Sequence, residues 1–322
     1  MKKLGCQFPA WSSQPSFFEK MEVTAVIELK SDQLQVQFQT FGGALSSIKD
    51  KDGVEYLWQG DPTYWSGQAP VLFPICGSVR NDTVVYENKD GSHEIGKIPR
   101  HGLVRKKEFD LVDQTDNSVT FSIEDTEEMY ENYPYHFRLE ITYIVTGKTI
   151  RTEYKIYNKE SEKSMPYFIG GHPGFNCPLL DDEVYEDYYL EFEEPETCSV
   201  PIPFPETGML DFKDRSSWLD NQKELGLNYD LFSYDAVTLD ELESRKVALR
   251  SRKHDKGLRL DFKEFSNLIV WSTLNKGPFI ALEPWSGLST SLEEGDRLEE
   301  KKDVRILKPG QVDHIGFDIE IL

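Results

Sequence analysis

"FRLEITYIVTGKTIRTEYKIYN", residues 137–158, decides the fold class. Phe137, Leu139, Ile141, Tyr143 and Val145 alternate with polar neighbours. A period of two places these five side chains on one face of an extended strand. "TGKT" turns the chain, and Ile150, Tyr154 and Ile156 resume the alternation. The segment reads as a β-hairpin with one buried face. The same character recurs on either side of it, in "QLQVQFQTFGG" (33–43), "VTFSIED" (119–125), "LRLDFKEF" (258–265), "NLIVWST" (267–273) and "HIGFDIEIL" (314–322). Turn chemistry separates these runs, as in "KDKDGVEY", "NKDGSH", "RKHDKG" and "LKPGQ". Helical signals are few, and residues 211–225 are predicted to hold a short helix. The acidic stretch 179–196, "LLDDEVYEDYYLEFEEPE", reads as a solvated edge strand. Residues 1–22 lack the alternation and are set apart as an N-terminal extension. Residues 23–322 are predicted to form one all-β domain, a large antiparallel β-sandwich with few short helices.

The composition narrows the function. Of 322 residues, 36 are Lys or Arg and 57 are Asp or Glu, a net charge of 36 − 57 = −21. A field of that sign repels phosphate backbones and anionic lipid surfaces, so neither nucleic acid nor membrane is an expected partner. No apolar run approaches the roughly 20 residues that cross a bilayer. The four cysteines, at 6, 76, 177 and 198, show no paired spacing. They read as reduced thiols and a cytoplasmic location.

Few polar residues stand where packing alone would not put them. In "GGHPGFNCP" (170–178) His172 lies between two glycines and a proline. Glycine permits close backbone approach and proline fixes φ, so the imidazole is held at a defined place. His101 in "IPRHGLVRK" (98–106) again precedes a glycine. Glu283 in "FIALEPWSGLS" (279–289) ends an apolar run beside Pro284 and Trp285. Apolar walls disfavour the charged carboxylate and raise its pKa, as a general base near neutrality requires. Arg80 in "LFPICGSVRND" (72–82) offers a fixed fork of donors to hydroxyls or a carboxylate. Asp235 is a further candidate, with Asp230 as its alternative. No phosphate-cradling glycine loop, dinucleotide motif, metal-ligand spacing or nucleophile elbow occurs. The set suits acid–base chemistry on a neutral polar ligand, with no cofactor and no metal.

These motifs have a familiar order. "GGALSSIKDKDGVEYLWQGDPTYW", "PVLFPICGSVRND", "RHGLVR", "GGHPGFN" and "ALEPWSG" together resemble the aldose 1-epimerase (galactose mutarotase) family, most nearly its LacX-like branch. The resemblance spans roughly residues 23–322. It implies a galactose-mutarotase β-sandwich and interconversion of the α and β anomers of a free hexose. It also implies His172 as acid, Glu283 as base, and Arg80, His101 and Asp235 as sugar-binding residues. Trp285 and Phe175 would stack on the sugar. The chain departs from the main branch at "CGSVRND", where that branch reads G-R-x-x-N-R. Two alternatives stay open: a non-catalytic sugar-binding module on this fold, and an epimerase of phosphorylated hexoses, which would need extra cations near the site. A glycoside hydrolase lacks an identifiable carboxylate pair. The acid–base reading expects His172 and Glu283 on opposite sides of one sugar-sized hollow.

Overall fold

The computed structural model describes residues 26–87 and 90–322. The proposed extension, residues 1–22, and Cys6 lie outside the described residues. The hairpin at 137–158 forms as read: strands Phe137–Thr146 and Thr149–Asn158 pair antiparallel, with Ile141 opposite Tyr154 and Leu139 opposite Ile156. These alternating residues are buried, and each large apolar side chain taken from water contributes roughly 1.5–3 kcal/mol.

The hairpin lies inside a nine-stranded sheet. Val312–Ile321 pairs along one side of it and Ser118–Glu124 along the other. The order continues through Gly257–Asp261 and Lys246–Ser251 to two long strands, Tyr188–Phe204 and Met209–Gly226.

Two expectations are corrected here. Residues 211–225 are strand, not helix. Their polar composition hid a partner: this stretch pairs with Tyr188–Phe204 through several register shifts, which break a simple two-residue period. The acidic strand is not an edge, because Tyr188–Phe192 pairs with Val247–Ser251 on its other side. Arg250 and Lys246 reach Glu191 and Glu193 from that neighbouring strand. The described α-helix, Glu127–Asn132, is capped by Thr126, whose hydroxyl accepts from the Met129 N–H.

The second main sheet has the order Val237–Leu239, Asn267–Trp271, Phe279–Trp285, Gly170–Gly171, Val71–Leu72. Phe279–Trp285 is buried along its whole length. Continuous apolar character, rather than alternation, marks such a two-sided strand. Gly170–Gly171 lies against the nine-stranded sheet. A Cβ on Gly171 would stand 2.9 Å from Phe317 and 3.1 Å from the Tyr154 hydroxyl. A Cβ on Gly170 would stand 2.8 Å from Trp285 and 3.0 Å from the Cys76 sulfur. The two glycines are therefore required by close packing.

Candidate active site

Directly opposed residues of an antiparallel pair share a face. Ile269 opposes Glu283 and Trp271 opposes Ala281, so Ile269, Trp271, Glu283 and Trp285 emerge together. Leu268, Val270 and Leu282 point the other way, into the core. The neighbouring Gly170–Gly171 strand then delivers His172 beside Glu283. These residues line one cavity of about 190 Å³, completed by Trp65, Arg100, His101, Arg105 and Asp235.

The His172 ring is fixed from several directions. Its backbone N–H donates to the Pro70 carbonyl at 3.0 Å. Trp65 stacks on the ring face at 4.8 Å between centroids. Trp271 and His101 present edges at 5.6 and 5.4 Å. Nε2 of His172 lies 3.3 Å from Oε2 of Glu283. The two groups are neighbours on one wall, not opposed across the hollow as the sequence reading expected, because adjacent strands carry them.

Burial governs their protonation. It pushes the Glu283 carboxyl well above its ordinary value, with Arg100 and then the Trp285 indole N–H opposing and Asp235 adding to the rise. Burial, reinforced by Arg100 and Arg105, pushes His172 down to about 3. Burial thus favours the protonated carboxyl and the neutral imidazole. Nδ1 of His172 is buried without a hydrogen-bond partner among the described residues. An unpaired, buried imidazole nitrogen beside the hollow is costly unless a polar ligand meets it.

His101 sits in the left-handed backbone region, with φ 70°. Gly102 follows at φ 86°, and a Cβ there would come within 2.1 Å of the Phe73 carbonyl oxygen. The His-Gly pair is thus a conformational requirement of the bend. The Gly77 N–H donates to His101 Nδ1 at 3.2 Å, which leaves the ring proton on Nε2. Burial, then the neighbouring His172, keeps His101 neutral, well below its ordinary value. Asp235, at φ 111°, accepts from the Ala236 N–H at 2.8 Å and faces Arg100 Nη1 at 3.5 Å. Non-glycine residues in such backbone regions persist where surrounding structure over-determines them, commonly at functional sites.

Of the residues read from sequence, His101, His172, Asp235 and Glu283 line one cavity. Arg80 does not. Its guanidinium binds Asp296 at 2.7 Å and the carbonyls of Ser291 and Glu294 at 3.1 and 3.0 Å, where it ties down the 291–296 loop. Phe175 is sealed in the core, and Asp230 lines a different hollow beside Trp218.

The match to the Aldose 1-epimerase family model runs over residues 25–303. The chain belongs to the aldose 1-epimerase family. The LacX protein of Lactococcus lactis subsp. lactis is 61% identical over 296 residues, covering 92% of this chain and 99% of that protein. A galactose mutarotase related enzyme from Lactobacillus acidophilus superposes with a TM-score of 0.85 at 28% identity, covering 92% and 97% of the two chains. A galactose mutarotase-like protein from Lactobacillus casei gives 0.83 at 29%, covering 92% and 100%.

This aldose 1-epimerase family member also places in its cavity four residues that the sequence reading did not single out. Arg100 and Arg105 flank His101 within the stretch quoted for that histidine, so proximity in the chain was their signal. Trp271 ends a strand whose register with Glu283 cannot be read from one sequence. Trp65 comes from the "DPTYW" loop and carries no periodic signal.

Proposed function

We propose that this protein is an aldose 1-epimerase that interconverts the α and β anomers of an aldose through the open-chain form. The contact of His172 Nε2 with Glu283 Oε2 at 3.3 Å on the wall of the cavity carries this reading. The anomeric hydroxyl and the ring oxygen share one carbon, so an acid and a base set side by side reach both.

Glu283 takes the proton of the C1 hydroxyl and His172 gives a proton to the ring oxygen. The C1–O5 bond breaks, its electron pair stays on O5, and C1 becomes the aldehyde. Rotation about C1–C2 and reclosure with the roles reversed yield the other anomer. Base Glu283 and acid His172 act together only with the pair's proton on the imidazole; burial disfavours that placement, so the bound sugar must stabilise it. No net proton or electron is consumed. Each positioned acid or base supplies about 10²–10⁴-fold. The Nε2–H of His101, and Arg100 beside Asp235, suit the sugar hydroxyls. Three buried free thiols fit a reducing cytoplasm.

The test is anomer exchange followed by NMR from a single pure anomer. Glu283→Gln and His172→Asn are expected each to lose about 10²-fold or more of the acceleration. Wild-type rates in either variant, or sugar binding without exchange in the wild type, would overturn the proposal.

A further inference from the structure

A second hollow, of about 430 Å³, adjoins the catalytic cavity and shares Trp65, Pro70 and Arg105 with it. Its remaining polar lining includes Lys106, Ser66 and Gln68, and no Asp or Glu among the described residues lines it. In a chain with 57 acidic residues and a net charge of −21, that is a local reversal of sign. Elsewhere acidic side chains meet the cations, as at Arg151, Arg215, Arg297 and Lys256. Arg105 is half-buried, yet among the described residues neither its side chain nor that of Lys106 forms an ion pair or a hydrogen bond. Burial, then repulsion from Arg100, lowers the Arg105 pKa from its ordinary value. A partly desolvated guanidinium without a counter-charge is costly, and an anion supplied by a ligand removes the cost.

Position identifies where that anion is attached. The junction residues Trp65 and Pro70 are the ones that hold His172: Trp65 stacks on its ring and Pro70 accepts its N–H. The second hollow therefore opens on the side of the group assigned to the ring oxygen. In a pyranose the carbon next to that oxygen, on the side away from C1, bears C6. Given the reading of His172 as acid, on which this inference rests, we propose that the substrate is an aldose with an anionic group at C6, held by Arg105 and Lys106. A phosphate ester and a uronate carboxylate share that chemistry. The two cations of the hollow match the double charge of a phosphate.

The experiment uses the full chain with glucose and galactose, their 6-phosphates and their uronates. Anomer exchange gives kcat/KM, and calorimetry on Glu283→Gln gives affinity independently of turnover. The expected result is a preference for the 6-phosphates. Arg105→Gln should cut the ratio of phosphorylated to neutral kcat/KM by about 10- to 100-fold, and Lys106→Gln by a smaller factor. Arg105→Lys, which keeps the charge, should restore part of the ratio. A preference for uronates that responds to Arg105 in the same way retains the anionic site and replaces phosphate by carboxylate. Equal affinity for neutral and anionic sugars, or a ratio that Arg105→Gln leaves unmoved, overturns the inference. Tight, Arg105-dependent binding of 6-phosphates without exchange sustains this inference and defeats the catalytic reading instead.

Discussion

At the scale of single residues, the cavity stores stability costs that its own chemistry explains. The folded protein keeps Glu283 protonated where the unfolded chain ionises above the ordinary value of 4.5. Its contribution to stability therefore falls as pH rises above that value. Glu283→Gln removes this dependence, so its stability relative to wild type should grow with pH by up to about 1.4 kcal/mol per pH unit. Denaturant melts at several pH values check it, and parallel curves would contradict it. His172 runs the opposite way. Its folded value near 3 lies below the ordinary 6.5, so stability is lost as pH falls from 6.5 towards 3, and His172→Asn should flatten that decline. The same depressed value predicts a pH–rate profile with no inflection near 6.5, measurable by exchange NMR. Both residues were legible from their neighbours alone: glycines and proline around one, an apolar run and tryptophan around the other. Arg80 was misread because its partners, Asp296 and the 291–294 carbonyls, lie more than two hundred residues along the chain. No local pattern encodes such a contact.

At the scale of elements, strands were legible wherever one face is buried and the other wet. The hairpin at 137–158 shows this, with alternation and register in agreement. Met209–Gly226 was not, since its burial alternates only in short patches between register shifts. The bend at His101–Gly102 is an element whose sequence had to contain glycine. Gly102→Ala would place a methyl against the Phe73 carbonyl at a positive φ. The expected cost is about 2–4 kcal/mol, together with a fall in exchange rate, because the bend sets the His101 ring. A thermal melt and an exchange assay on the same sample test both, and an unperturbed variant would show that the bend relaxes freely.

At the scale of the whole molecule, two sheets of different character divide the work. The nine-stranded sheet supplies alternating strands and a broad apolar platform. The smaller sheet, covered by it, carries Glu283 and leads into His172. Fold class was readable because alternation repeats along most of the chain. The assembly of the cavity was not, because it depends on which short strands become neighbours. The net charge of −21 acts at this scale too. Self-repulsion weakens when salt shortens the screening length from about 30 Å at 0.01 M to about 10 Å at 0.1 M. The melting temperature should accordingly rise on the order of 2 °C over that range, by calorimetry. A falling melting temperature would mean that attractive surface pairs outweigh the net repulsion.

The chain has six tryptophans, and Trp65, Trp271 and Trp285 line the cavity that holds His172 and Glu283. Three of the six indoles thus stand beside the place where a sugar would lodge. Occupancy should shift or quench that light, so the molecule carries its own optical gauge of ligand, readable without label or turnover.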